Sequence, residues 1–288
     1  MRLEWWMTSM FLGIAACGGE PAIDPDAGRP NDAARSGDAG DVPGDAGDVP
    51  GDAGDLPSDA GDIADASVPR ECDFRAEGGI VVIEAESLPL AADWARGTHA
   101  DASGGEYIGW TGTAHNNDTS FGHIEVSIEI TTPGLYRLQV RQRVGMGTNA
   151  TEHNDSWMSF SDADAFYGIQ GPATAEDRVY PRPRCEDATF LASIEAMADV
   201  TQASCPAGSS RDGYFKIYSS GALEWRWSAR TSDSDAHDVV ARFDAPGVYT
   251  YRIAARADHA QLDRIVLHEI GLANSVVQDL TLAETRCP

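Results

Sequence analysis
A period of two governs the chain from about residue 79 onward. GHIEVSIEI (122–130), GLYRLQVRQRV (134–144), YFKIYSS (214–220) and VYTYRIAAR (248–256) alternate apolar with polar residues, which sends successive side chains to opposite faces of a strand. GIVVIEAESL, GGEYIGW, DSWMSFS, LEWRWSA, DVVARF and LDRIVLHEI read the same way, making about ten strands. Thr132-Pro133-Gly134 and Ala245-Pro246-Gly247 are turns, so PGLYRLQVR and PGVYTYRIAAR are one device used twice. One-sided alternation belongs to antiparallel sheets with a single packed face. Only ATFLASIEAMADV (188–200) reads as a helix, and no apolar run is long enough to span a membrane. The expected fold is all-β, a two-sheet antiparallel sandwich of jelly-roll type.

The first part of the chain cannot join that sandwich. Arg2 and the apolar WWMTSMFLGIAAC form an export signal, with Glu4 departing from its usual positive charge. Ile14-Ala15-Ala16-Cys17 resembles a bacterial lipoprotein box, which implies a signal peptide over 1–16 and a lipid on Cys17. Gly18 in the next position implies sorting to the outer membrane. An ordinary secretory signal with a chance cysteine is the alternative. Residues 17–70 are a stalk built on GDAGDVP at 37–43 and 44–50, GDAGDLP at 51–57 and SDAGDIA at 58–64. Gly, Asp and Pro at this density bury no core, so the tract is expected to be disordered, with a span of roughly 40 Å. Asp-Gly repeats can bind calcium, but the glycine-rich nonapeptide that does so is absent from this tract. A net charge of −25 over 288 residues argues against nucleic acid and against anionic membrane surfaces as partners, leaving the lipid as the membrane contact.

Residues 71–288 are the folded head, with an insertion at about 172–212. With Cys17 taken by lipid, four cysteines remain, as expected of disulfides in an exported protein. Cys72 and Cys287 lie at the two domain ends, and Cys185 and Cys205 share the insertion. Of the three connectivities, Cys72–Cys287 with Cys185–Cys205 is the expected one. Residues 272–287 are expected to fold back along the domain.

Val81-Val82-Ile83-Glu84-Ala85-Glu86 poses a charge problem, because a strand would send both glutamates to one face at a cost. IEAES, GGEYIGW, PGLYRLQVR and QLDRIVL, in that order over residues 79–270, resemble the carbohydrate-binding modules of families 6 and 35. The resemblance implies a galactose-binding-like sandwich and a structural calcium joining the first strand to the last, with Glu84, Glu86 and Asp263 as ligands. Calcium chemistry agrees, since the ion takes six to eight oxygens and carboxylates supply them. Pairing of the glutamates with Arg264 or Arg256 is the alternative.

A sugar site needs flat aromatic faces for C–H surfaces and planar polar groups for hydroxyls. The candidates are Tyr107, Trp110, Trp157, Trp225 and Trp227, with Asn117, Asn154 and Asp155 as hydrogen bonders. Trp225 and Trp227 share a strand face, and Trp110 leads into a polar loop where exposure is expected; for any single tryptophan a core role is the competing reading. Glu152, His153, Asn154 and Asp155, and likewise Asp233, Asp235, His237 and Asp238, read as loop residues, with a second calcium or support for the site as the alternatives, since neither set has the spacing of a zinc hydrolase. No nucleophile elbow or phosphate loop occurs. The expected protein is a monomeric, lipid-anchored, calcium-stabilised head that binds a glycan and is not an enzyme. A structural or protein-binding module with the same fold is the second reading, and a polysaccharide lyase or glycosidase the third.

Overall fold
A computed structural model describes residues 71–219, 223–231 and 236–288. The signal peptide, Cys17, the stalk, Asp233 and Asp235 lie outside the described residues. Strands are numbered in chain order. One sheet runs β1 (Phe74–Arg75), β5 (Ile124–Ile130), β15 (Gly247–Ala255), β7 (Asp155–Phe160), β12 (Tyr214–Tyr218), β11 (Ser210–Arg211). The other runs β10 (Val200–Ser204), β9 (Glu176–Val179), β8 (Ala165–Gln170), β14 (Asp238–Phe243), β6 (Gly134–Val144), β16 (Ala260–Glu269), β4 (Glu106–Trp110), β3 (Trp94–Thr98). In that second sheet β2 (Ile80–Glu84) also pairs with β16, and β13 (Arg226–Ser228) with β6. The described residues form a two-sheet β-sandwich. Its pairs are antiparallel except β1 with β5 and β9 with β10, which are parallel.

Alternation places the core. Along β5, Ile124, Val126, Ile128 and Ile130 are buried while Glu125, Ser127 and Glu129 look outward. They meet Ile108, Leu138, Phe160, Phe215 and Tyr251 between the sheets. The two Pro-Gly turns are the same device. Tyr136 donates its hydroxyl to the Thr132 carbonyl and Tyr249 to the Ala245 carbonyl, each at 2.8 Å. Both rings then pack against Phe243. Each tyrosine thus pins its turn to the core.

Cys72–Cys287 and Cys185–Cys205 are both disulfides, with Cα separations of 5.8 and 4.9 Å, inside the usual range. The C-terminal tail folds back as expected. Leu272, Val277 and Leu282 cover Val82 and Val266 on the outer face of the second sheet, and Thr285 exchanges hydrogen bonds with Val82.

Three expectations need correction. The helix expected over 188–200 forms only at α1 (Ala188–Glu195), because Val200 already pairs with Glu176. Trp225 lies just outside β13, which is three residues long. Glu86 leaves the strand: β2 stops at Glu84, and Ala85–Ser87 make one 3-10 turn.

Candidate functional site
The outer face of the second sheet carries a continuous polar-aromatic patch. Along β4, Ile108 and Trp110 face the core, so Tyr107 and Gly109 face out. Neighbouring strands set Gly97 opposite Tyr107, Gln261 opposite Gly109, Arg143 opposite Gln261 and Trp227 opposite Arg141. Gly97 is required there: a Cβ would stand 2.5 Å from Tyr107 Cζ, since that ring lies across the strand. Trp225 tilts against Tyr107 with ring centroids 5.4 Å apart, and its N–H donates to His99 Nδ1 at 3.2 Å. Arg143 sits 5.0 Å from the Trp225 ring centroid and donates from Nε to Gln261 Oε1 at 2.7 Å. Gln261 in turn donates to the Tyr107 hydroxyl at 3.2 Å. Both rings are half-buried: Tyr107 is held by the Arg143–Gln261 hydrogen bonds beside a shallow cavity of about 120 Å³, and Trp225 by His99 and by Arg143 over its face. Trp227 shares the face, but it packs beside Val82, Val266 and Val277 under the tail. Flat rings flanked by an amide and a guanidinium suit a polyhydroxylated ring.

The acidic cluster borders this patch. A bulge between Leu262 and Arg264 lets Leu262 and Ile265 both reach the core, which delivers Asp263 and Arg264 together to the outer face. Arg264 Nε lies 3.3 Å from Glu84 Oε1, so the arginine alternative holds for that oxygen; Arg256 pairs with Asp155 instead. Asp263 accepts the Ser103 N–H at 2.8 Å and an ion-paired hydrogen bond from Arg141. Glu84 Oε2 and Glu86 Oε2 are buried without hydrogen-bond partners. Burial raises the Glu84 carboxyl despite Arg264. Burial, reinforced by the charges of Glu84, Asp263 and Glu106, pushes Glu86 up to about 7. Buried carboxylate oxygens without a donor are the kind of group a hard cation satisfies. Each Asp263 oxygen already accepts one hydrogen bond, from Ser103 or from Arg141, and keeps one lone pair. Among the described residues, the one close trio of ligand atoms is Cys72, Cys287 and Glu129, whose sulfurs are in a disulfide.

The remaining candidates separate from this patch. Trp110 is 3 % exposed, packed edge-on against Trp94, with its N–H on the Thr113 carbonyl. Its position on β4 faces the core, so the polar loop after it does not expose it. Trp157 is 1 % exposed on the outside of the first sheet. Its N–H donates to the His115 carbonyl at 3.1 Å, and Arg256 lies 5.0 Å above its ring. Asp155 is buried as the ion-pair partner of Arg256 with Lys216 at 4.0 Å, and Asn154 is buried beside it. Asn117 is exposed on the rim of a cavity of about 340 Å³ floored by Trp157. Of the histidine–acid sets, His153 Nδ1 is 2.9 Å from Asp258 Oδ1 and His237 is buried. Sequence reasoning missed Arg143, Gln261 and His99. Alternation alone could have placed the first two, since Arg143 is outward on GLYRLQVRQRV and Gln261 precedes the bulge.

No known family profile matches the chain, and no curated protein does. Among solved structures, it is similar to the C-terminal CBM6 of LamC, a marine laminarinase from Zobellia galactanivorans, at 12% identity and TM-score 0.34. That match covers 66% of this chain and 99% of the other. A carbohydrate-binding module of Cellvibrio mixtus lichenase 5A, in complex with cellotriose, gives 12% identity and TM-score 0.35 over 66% and 96%. The Podospora anserina GH26-CBM35 β-(1,4)-mannanase gives 16% and TM-score 0.31 over 68% of this chain and 29% of that one.

Proposed function
We propose that the chain is a non-catalytic carbohydrate-binding head that takes a glycan on the Tyr107–Trp225 face. The observation that carries this reading is the network in which Arg143 and Gln261 fix two half-buried rings on one open sheet face. Such a platform is already ordered before a ligand arrives, which lowers the entropic cost of binding. In the same proposal, calcium sits against Glu84 Oε2 and Glu86 Oε2 and supplies the positive charge those oxygens lack, with Asp263 behind them, its own charge balanced by Arg141. Arg141 also lies 5.7 Å from the Trp225 ring centroid, so the ion and the platform share a neighbour. Cys17 carries a lipid and residues 17–70 a stalk, displaying the head at the outer membrane.

The test is a glycan array on the full chain, with calcium and with chelator, repeated for Trp225→Ala. Specific binding that is lost in Trp225→Ala and weakened by chelation supports the reading. The burial of Trp110 and Trp157 favours the second reading, a structural or protein-binding head. Failure of every glycan to bind, with calcium still raising the melting temperature, would establish it.

A further inference from the structure
The excursion between Gly171 and Asp212 has no role in the Tyr107–Trp225 face. It contributes β9, α1 and β10, is stapled by Cys185–Cys205, and lays Ile194 and Val200 over Tyr167, Ile169 and Val240 on the outer face of the second sheet, toward the edge away from β4. The cover is incomplete. Between α1 and the sandwich rim lies a cavity of about 470 Å³, adjoined by one of about 460 Å³ that shares Tyr167, Arg178 and Arg242 with it. Both fall in the size range of small-ligand sites.

The walls carry a distinct chemistry. Tyr167 and Tyr180 stack at 5.4 Å with 26° between their planes. Arg178, with a side chain 9% exposed, is clamped by Glu176 and Asp199 so that its guanidinium stays 5.1 Å from the Tyr167 ring centroid. Arg184 is exposed, stacks 4.0 Å from the Phe190 ring centroid and, among the described residues, has no carboxylate partner. Arg242 and Arg252 complete four guanidiniums in the wall, Arg242 with Asp244 3.0 Å from its Nε and Arg252 with Glu125 at 2.8 Å, which leaves Arg184 as the one without a carboxylate among the described residues. Asp164 and Asp212 share that wall, held by hydrogen bonds from the Asp244 N–H and the Thr119 hydroxyl respectively, and Asp199 and Asp244 line the adjoining cavity. A chain with net charge −25 thus concentrates arginine at one aromatic-lined cavity.

We propose that this cleft is a second ligand site, taking an acidic sugar: a pyranose whose carboxylate or sulfate is read by Arg184 and Arg242 while its ring lies along the aromatic wall. The planar guanidinium fork matches either anion in a bidentate mode. The site is independent of the Tyr107–Trp225 face and stands or falls separately from it.

The experiment is calorimetric titration of the full chain with three oligosaccharides of equal length: a uronate, a sulfated sugar and an uncharged one. The expected result is that an acidic ligand binds, that Arg184→Ala weakens it at least about tenfold, and that Trp225→Ala leaves it unchanged. Whichever of the uronate and the sulfated ligand binds more tightly identifies the anion. Arg184 is exposed, so its truncation leaves the fold intact, and an unchanged melting temperature verifies this. The proposal is overturned if neither acidic ligand binds, if Arg184→Ala/Arg242→Ala binds them as the wild type does, or if Trp225→Ala abolishes them. Acidic binding that depends on Arg184, with no uncharged glycan bound anywhere, would sustain this site and remove the reading of the Tyr107 face.

Discussion

Truncating Trp110 and truncating Trp225 should do opposite things, and the contrast tests the division between core and site. Trp110 is 3 % exposed and faces inward from β4. Gly112 and Gly122 close on its ring so tightly that a Cβ at either would come within 2.5 and 2.6 Å of it. Burying an indole removes about 200 Å² from water, worth about 5 kcal/mol at ~25 cal/mol per Å². Measured truncations of buried tryptophan to alanine cost about 3–5 kcal/mol once the cavity relaxes. For a head of this size each kcal/mol moves the melting temperature by roughly 2–4 °C. Trp110→Ala should therefore melt about 6–20 °C lower. Trp225 is half-buried on the outer face, so Trp225→Ala should lower the melting temperature by no more than a few degrees. It should still cost about 2 kcal/mol of glycan binding, some 30-fold, as aromatic anchors do. Scanning calorimetry of both variants, followed by titration with the best array glycan, reads both numbers. A Trp110→Ala protein melting within about 3 °C of wild type would refute the placement of that ring in the core.

Other outcomes follow from single side chains. Without cation, Glu86 holds its proton up to about 7 in the folded head against 4.5 in the unfolded chain. Between those values the unfolded chain releases the proton first, so stability falls as pH rises from about 4.5 to about 7 and is flat above. Discounted for the partial exposure of the group, the loss is on the order of 2 kcal/mol. Chelated wild type minus Glu86→Gln should show that slope in pH-dependent melts, and calcium at pH about 8 should cancel it; a difference independent of pH would contradict the assignment. Asp155→Ala removes the carboxylate shared by Arg256 and Lys216 and should cost about 3–5 kcal/mol, read by urea unfolding. Cys185→Ser with Cys205→Ser opens a loop of 20 residues, worth up to about 3 kcal/mol. Limited proteolysis should then cut within 186–204 while the rest of the head survives.

What could be read from the sequence was set by how local each cause is. β6 and β14 were legible to the residue because Pro-Gly or Asp-Ala punctuation brackets a clean period of two. β3 and β8 were not: Trp94-Ala95-Arg96-Gly97-Thr98 has outward polar residues and a glycine, and Ala165-Phe166-Tyr167-Gly168 is apolar on both faces because the excursion covers the second one. Both disulfides followed from position along the chain. The charge conflict at Glu84 and Glu86 was visible as acids intruding on an apolar run, but the bulge that turns Asp263 toward Arg141 depends on pairing with β6. Trp110 and Tyr107 differ by three positions in one short strand and end on opposite faces. Parity within β4 decides that, while the polar loop that follows misleads. Arg143 and Gln261 matter only because two strands distant in sequence lie side by side.

The most direct test of the central claim is calorimetric titration of the full chain with the best glycan from the array, comparing Tyr107→Ala/Trp225→Ala with Asn117→Ala/Arg182→Ala, whose two side chains line the cavity over Trp157. The sheet-face reading predicts at least about 30-fold weaker binding in the first variant and wild-type binding in the second. Wild-type binding in the first, with loss in the second, would move the glycan to the cavity over Trp157 and contradict the account.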